Sequence, residues 1–314
     1  MIKSFQLPSR AQTWTVSVIA MLFLFLTATF IGLRPEHFFI AGVFLLLFFA
    51  GTSTRKLAVA LLPFVIFGIS YDWMRVYPNY EVNAVDVSGL YEAERSLFPI
   101  WDDGGRRMTL CEYFMLEHNH PVADFFAGLF YLCWVPVPIA FGIWLYFTRA
   151  RAVYLRFAMV FLLVNFIGFI GYYIYPAAPP WYAILYGFDV VLDTPGNVAG
   201  LGNFDKLLGM PVFESIYGRN ANVFAAVPSL HSAYMVVVFY YAFVHRCRAY
   251  TLALFGLIMA GIWAAAVYSG HHYVIDVLLG IGCALSGIGL FEQGLMRMPA
   301  FKKFFDRYYR FIQA

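Results

Sequence analysis

Two short segments of the chain carry residue types that could perform acid–base and nucleophilic chemistry. The first is Pro-Ser-Leu-His-Ser at residues 228–232, and the second is His-His-Tyr-Val-Ile-Asp at residues 271–276. Each lies at the mouth of an apolar stretch that could cross a membrane, where ionisable groups are costly and usually functional. The pattern therefore predicts that the two segments converge on one site in a helix bundle.

Helix geometry distinguishes the two adjacent histidines of the second segment. If this segment is helical, Asp276 shares a face with His272, four residues earlier, and points away from His271. A carboxylate beside imidazole Nδ1 fixes the tautomer of the ring and supports the positive charge that develops on it. The spacing thus predicts that His272 is the nucleophile, with its Nε2 free to attack. His231 would then act as general acid and protonate the oxygen of the leaving group. Afterwards it would act as general base and remove a proton from the molecule that accepts the transferred group.

A metal centre is a second, weaker interpretation of these residues. A His-x-x-x-Asp pair could supply two ligands, but the sequence contains no His-Glu-x-x-His motif, no cysteine pair with ligand spacing and no carboxylate cluster. His118 and His120, which flank an asparagine in a polar loop, are predicted to be surface residues. We expect no metal and no other cofactor.

The composition indicates the solvent in which this chain folds. Hydrophobic residues make up 62% of the 314 residues and charged residues only 12%, whereas a soluble domain carries about 25% charged residues. The net charge of +3 is too small to argue for nucleic acid, and no basic run is interleaved with aromatic residues. The chain is therefore predicted to be an integral membrane protein with no nucleic-acid partner.

Apolar runs recur eight times along the sequence, and most are long enough to span a bilayer. The eight predicted spans are about residues 13–32, 37–52, 57–77, 122–147, 153–175, 230–245, 250–268 and 273–293. With a cytosolic N-terminus, the Lys and Arg clusters of the short loops all lie in the cytosol, as the positive-inside rule requires. This predicts an all-α polytopic membrane helix bundle with cytosolic termini and two long non-cytosolic loops, about 78–121 and 176–229.

The two motifs resemble the signature of a known family. Pro-Ser-Leu-His-Ser followed about forty residues later by His-His-Tyr-x-x-Asp resembles the type 2 phosphatidic acid phosphatase superfamily, and is most similar to its inositol phosphorylceramide synthase-like branch. The proline-rich segment 175–181 resembles a motif of that branch, and Tyr-Asp-Trp-x-Arg at residues 71–75 is a weaker likeness. The resemblance covers about residues 57–293. It implies a phosphohistidine on His272, oriented by Asp276, with His231 as acid and base and Ser229 beside the phosphate.

The resemblance also implies a division of the chain. Residues 57–296 would form a six-helix catalytic core with both long loops, and residues 1–56 would add two N-terminal transmembrane helices. Residues 297–314 combine aromatic side chains at helical spacing with Lys and Arg. This pattern predicts an amphipathic cytosolic tail that lies on the anionic leaflet.

The sequence departs from the phosphatase branch of the superfamily at its cationic positions. That branch has an arginine six residues before the nucleophilic histidine, where this chain has Ala266. A phosphomonoester is nearly a dianion and needs several cations, whereas a phosphodiester carries one charge. The departure favours a diester donor. Arg219 is the first candidate to bind its phosphate and Arg75 the second, and Ser229 and Tyr273 complete the predicted substrate-binding residues.

These expectations define one preferred function and two alternatives. The preferred function is an integral-membrane lipid phosphotransferase that moves phosphoinositol from a glycerophospholipid to a ceramide-like acceptor and releases diacylglycerol. Water in place of the lipid acceptor would make it a lipid phosphatase or phosphodiesterase. A non-enzymatic transporter or scramblase is the third class, although the spans lack a trail of midplane ionisable residues. Short loops favour a bacterial inner membrane over the Golgi, with the site on the non-cytosolic face.

Overall fold

The computed structural model describes residues 7–148, 151–192, 194–218 and 222–313, and most of them are helical. The helices are α1 Arg10–Phe30, α2 Pro35–Ala50, α3 Thr52–Ala60, α4 Leu62–Trp73, α5 Ser88–Leu97, α6 Leu110–Glu112, α7 Pro121–Tyr131, α8 Pro136–Thr148, α9 Arg151–Ile174, α10 Pro180–Tyr186, α11 Gly202–Leu208, α12 Val212–Tyr217, α13 Leu230–Val244, α14 Ala249–Tyr268, α15 Val274–Gly289 and α16 Pro299–Gln313. The strands are β1 Ile100–Trp101 and β2 Arg107–Met108, which pair in an antiparallel hairpin. The predicted all-α membrane bundle is confirmed.

Helices occupy all eight stretches that were predicted to span the membrane. Five of them are long and apolar enough to cross a bilayer: α1, the pair α7–α8, α9, α14, and α15 with its continuation to Arg297. A sixth consists of α3 and α4, which are bent by 46° at their junction. The remaining two, α2 and α13, are shorter apolar helices. The chain is therefore a multi-pass membrane protein.

The third span differs from its prediction as one helix over about 57–77. The structure starts this span earlier, with α3 at Thr52, and breaks it after Ala60. Pro63 stands in the first turn of α4, where its ring cannot accept a preceding helical turn and its nitrogen cannot donate. Arg55, which was placed in an inner loop, lies on α3 and is buried, with its Nε donating to the Phe48 carbonyl at 3.1 Å.

Helix α13 lies at the centre of the bundle, in contact with α8, α9, α14 and α15. More than half of its residues are buried, and most of the buried ones are apolar, which contributes hydrophobic stabilisation to this region. The polar exceptions are paired: Tyr234 Oη donates to Asn165 Oδ1 of α9 at 2.5 Å, as buried polar groups require. The central position of α13 fixes the N-terminal end that carries His231.

Gly280 permits α13 and α15 to approach each other closely. A Cβ atom at this position would lie 2.1 Å from the Ser229 carbonyl oxygen and 2.2 Å from Ser232 Oγ. Both distances are far shorter than a carbon–oxygen contact allows, and one of the two atoms belongs to the backbone. The close approach brings the two motif segments into one site.

We expect Gly280→Ala to separate these helices and to destabilise the protein by roughly 1–3 kcal/mol, as overpacking of a filled core does. Gly282→Ala is the matched control, because it lies on the same helix with nothing within 4 Å of the added carbon. Thermal unfolding in detergent should give a lower Tm for Gly280→Ala than for Gly282→Ala. Equal Tm values for the two variants would show that the helices tolerate the added methyl group.

The two long loops fold together over one end of the bundle. Asp86 of the first loop exchanges backbone hydrogen bonds with the second, donating to Pro176 O at 2.8 Å and accepting from Ala178 N at 2.9 Å. The Asn79 side chain, completely buried, donates to the carbonyls of Tyr172 and Phe224, each at 2.8 Å. These contacts form a cap over the ends of α13 and α15.

The predicted amphipathic tail is a helix, α16, but part of its apolar face packs on the protein. Phe305 and Ile312 are buried against the bundle, and Tyr308 Oη donates to the Val59 carbonyl of α3 at 2.5 Å. Arg151 at the start of α9 donates to the Ile312 carbonyl. The helix therefore joins α3 to α9, and its contact with an anionic leaflet stays a prediction.

Candidate active site

The three groups predicted to carry the chemistry lie in contact. His231 Nδ1 is 2.9 Å from His272 Nε2, and His272 Nδ1 is 3.4 Å from Asp276 Oδ2. His231 belongs to the first turn of α13, while Asp276 belongs to the first turn of α15 and is completely buried. The arrangement is a histidine pair backed by a carboxylate.

The contact between His272 and Asp276 forms in a way that helical spacing did not predict. His272 is not on the helix, because α15 begins two residues later, at Val274. Asp276 Oδ2 accepts a hydrogen bond from the Tyr273 backbone at 2.9 Å, which turns the carboxylate back over the preceding residues. The turn itself is held by α14, since the backbone N–H groups of His271 and His272 both point to the Ala266 carbonyl at 3.0 Å.

His271 was expected to point away from Asp276, yet its ring lines the same cavity as His272. Its Nδ1 lies 3.0 Å from Ser269 Oγ, and the ring packs against the rings of Tyr131 and Tyr217, with centroids 5.4 and 4.5 Å away. The prediction from helical spacing considered only contact with the Asp276 carboxylate, and it therefore did not place His271 in the site. His271 is an additional polar group in the wall of the site.

A cavity of about 240 Å³ opens onto the histidines. Its wall is mainly aromatic and apolar, as is usual for sites that bind substrates with apolar parts. The aromatic lining residues are Phe67, Tyr71, Trp134, Tyr172, Trp181, Tyr217 and Tyr234. A polar headgroup could meet the histidines while apolar chains extend along the aromatic wall.

Of the two arginines predicted to bind phosphate, only Arg75 belongs to the described part of the chain. Arg219 lies outside the described residues. Arg75 follows the C-terminal end of α4, with its Nε 3.3 Å from Asp72 Oδ1, in a separate cleft that Arg34 and His37 also line. Among the described residues that line the cavity, none is Lys or Arg.

Ser229 and Tyr273, the other two predicted substrate-binding residues, are the N-caps of α13 and α15. Both are buried. The Ser229 backbone N–H donates to the Asp276 carbonyl at 3.0 Å, and the Tyr273 ring packs with Leu90 and Cys111 of the first long loop. In the structure, these two residues connect the N-terminal ends of α13 and α15. Their contact with a phosphate stays a prediction.

The two helix starts also offer a source of positive potential. Both α13 and α15 begin at the histidines, and the N-terminus of a helix carries about half a positive charge with N–H groups directed outward. In addition, burial lowers the pKa of His272, which lies between α14 and α15, below its usual value. The ring is therefore neutral at neutral pH, as a nucleophile must be.

The loop histidines lie where a surface role was predicted. The His118 ring stacks on Tyr113 with centroids 3.8 Å apart, and His120 Nδ1 caps α7 by accepting from Val122 N at 3.2 Å. Across the described ranges, no group of three or more His, Cys, Asp or Glu side chains is arranged to hold a metal ion.

Comparison with known protein families identifies the superfamily to which this chain belongs. Residues 110–290, more than half of the chain, match the model of the PAP2 superfamily, and the chain belongs to that superfamily. The match includes both histidine motifs and the helices that carry them. The predicted relationship to the type 2 phosphatidic acid phosphatases is confirmed.

Individual relatives indicate the branch within the superfamily. The phosphoinositol dihydroceramide synthase of Bacteroides thetaiotaomicron is 66% identical over 307 residues, which are 98% of this chain and 100% of the relative. The inositol phosphorylceramide synthase catalytic subunit of Saccharomyces cerevisiae is 36% identical over 120 residues, or 37% of this chain and 29% of that protein. The inositol phosphorylceramide synthase of Candida albicans is 30% identical over 43% of this chain and 28% of its own length. No solved structure is significantly similar to the chain.

Proposed function

We propose that this protein is a membrane phosphotransferase that moves phosphoinositol from a glycerophospholipid to a ceramide-like acceptor. The proposal rests mainly on two contacts of the His272 ring. Its Nε2 contacts His231, and its Nδ1 lies beside the carboxylate of Asp276. The similarity to a bacterial phosphoinositol dihydroceramide synthase over the full chain supports the donor headgroup and the acceptor class.

The reaction proceeds in two displacements at phosphorus. In the first, His272 Nε2 forms a bond to the phosphorus of the donor while the bond to the diacylglycerol oxygen breaks, and protonated His231 gives its proton to that oxygen. Asp276 stabilises the positive charge that the phosphorylated ring carries. In the second, His231 removes the proton of the acceptor hydroxyl, whose oxygen attacks phosphorus and releases His272.

Transfer competes with hydrolysis for the same intermediate, and the exclusion of water decides between them. His272 is only 5% exposed, the loops form a cap above it, and aromatic side chains line the cavity around it. These features favour a lipid hydroxyl over water as the second nucleophile.

The test follows an inositol label on phosphatidylinositol through the purified protein in lipid vesicles. Label should enter a new lipid only when ceramide or dihydroceramide is added, with diacylglycerol released in equal amount. Release of water-soluble inositol phosphate at the same rate with and without the acceptor would identify a hydrolase and contradict the proposal. Transbilayer movement of intact lipid without chemistry would identify a transporter.

We further propose that both termini face the cytosol of a bacterial cell and that the site faces outward. The distribution of Lys and Arg among the short loops supports this orientation. A cysteine introduced at Asp103, in the outer loop, should react with an impermeant maleimide in intact spheroplasts. A cysteine at Lys303, on α16, should react only after permeabilisation, and the reverse pattern would contradict the orientation.

A further inference from the structure

Glu94 connects the outer loop to the catalytic helix α15. It lies on α5, before the part of the chain that the superfamily model matches, and it is completely buried. Its two carboxylate oxygens accept backbone hydrogen bonds from Val274 at 2.9 Å and from Ile275 at 3.1 Å. Because a buried carboxylate is costly without such partners, the contact joins α5 firmly to the start of α15.

Helix α15 depends on this contact for its cap. The first N–H groups of any helix have no partner inside the helix, and Ser, Thr, Asp or Asn usually provides one. Here the N-cap residue is Tyr273, whose side chain makes no capping hydrogen bond. Asp276 accepts from the backbone of Tyr273 at 2.9 Å, and Glu94 accepts from the next two residues. The cap is thus shared between a carboxylate of the helix and a carboxylate of another element.

Because Glu94 accepts two of the backbone hydrogen bonds of the cap, the carboxylate of Asp276 can remain directed towards the proposed nucleophile, His272. Its Oδ2 reaches both the Tyr273 backbone and His272 Nδ1, at 2.9 and 3.4 Å. Without Glu94, two partly buried N–H groups in the same turn would lose their acceptor, and the Asp276 carboxylate would be drawn towards them and away from the imidazole.

We propose that Glu94 is a positioning residue for phosphoryl transfer: its carboxylate completes the cap of α15 and so keeps Asp276 directed at the ring of His272. The inference rests on the proposed role of His272 as nucleophile. Glu94 itself stays behind the helix start, where it touches backbone groups and does not line the cavity.

The charge of Glu94 changes near neutral pH. Burial raises the pKa of its carboxyl group to about 7, with Asp276 adding to the rise and the two backbone hydrogen bonds opposing it. The other titratable groups around it are Tyr91 of α5, Cys111 and Glu112 of α6, and Tyr273. Protonation turns one of the two carboxylate oxygens into a hydroxyl, which is a weaker acceptor for a backbone N–H. The cap is therefore complete above the pKa and weakened as pH falls through it.

The test is the pH dependence of kcat in the reconstituted protein for the wild type and for Glu94→Gln, which keeps the shape and removes the charge. We expect Glu94→Gln to lower kcat about 10- to 100-fold by misplacing the catalytic groups, with KM for the donor within about twofold. The wild-type decline in kcat below pH 7 should be absent in the variant, since it has no proton to gain at this position.

Glu92→Gln is the matched control, because Glu92 lies on the same helix but is exposed and pairs with Arg95 at 2.6 Å on the surface. It should keep the kcat and the pH profile of the wild type. A wild-type kcat in Glu94→Gln, or a wild-type profile that is flat for about one unit on either side of pH 7, would overturn the inference. A flat wild-type profile would overturn the inference even if Glu94→Gln does not fold. Full activity of His272→Ala would instead overturn the proposed function.

Discussion

Replacement of His272 by alanine should abolish turnover, with a loss of about 10⁴-fold or more in kcat, because it removes the atom that bonds to phosphorus. The variant should still bind donor lipid, since the aromatic wall of the cavity is unchanged. Denaturing the wild type with detergent at neutral pH in the presence of headgroup-labelled donor should trap label on the protein in an acid-labile form. The variant should trap none.

His118→Ala is the control for this experiment. His118 is exposed and stacks on Tyr113 in the first long loop, so its loss should leave both turnover and trapping unchanged. Turnover by His272→Ala at the wild-type rate would show that the acceptor attacks the donor directly, and the covalent route would have to be abandoned.

Replacement of His231 by alanine should lower kcat about 10²- to 10⁴-fold, the usual contribution of general acid–base catalysis. Both displacements should slow, because the same ring donates the proton to diacylglycerol oxygen and later removes one from the acceptor. Single-turnover measurements can separate the two steps by following label onto the protein and then into the product lipid.

The leaving group provides a sharper comparison between the two histidines. A donor analogue in which p-nitrophenol replaces diacylglycerol needs no proton, so the first displacement should recover in His231→Ala. It should not recover in His272→Ala, which lacks the nucleophile. Equal responses of the two variants to this analogue would contradict the division of roles between them.

The sequence predicted the membrane helices well because bilayer burial imposes a long apolar run on each of them. The break in the third span was harder to predict from the sequence, since Pro63 lies inside an apolar run that continues on both sides. The pairing of Arg75 with Asp72 could have been expected, because the two residues have i,i+3 spacing at a helix end. That signal would have reduced the expectation that Arg75 binds phosphate.

The active site shows a different limit of sequence analysis. The contact between His272 and Asp276 was expected from a spacing of four, and the structure forms it through a capping turn that has the same spacing. Glu94 could not be found in this way, since it meets α15 across 180 positions of sequence and no local pattern records such a contact. The position of His271 in the cavity wall likewise depends on α7 and α12, which pack beside it only in the folded chain.

His231 Nδ1 and His272 Nε2 lie within hydrogen-bonding distance of each other, at 2.9 Å. With the proton of His272 on Nδ1, as the proposed mechanism requires, the lone pair of Nε2 accepts a hydrogen bond from the neighbouring ring. Any entering phosphate must first separate the rings and forgo about 0.5–1.5 kcal/mol. A lipid that anchors its chains along the aromatic wall can offset that cost, whereas a small phosphate from solution has little binding energy with which to do so. Discrimination against soluble phosphates therefore begins before any bond to phosphorus is made.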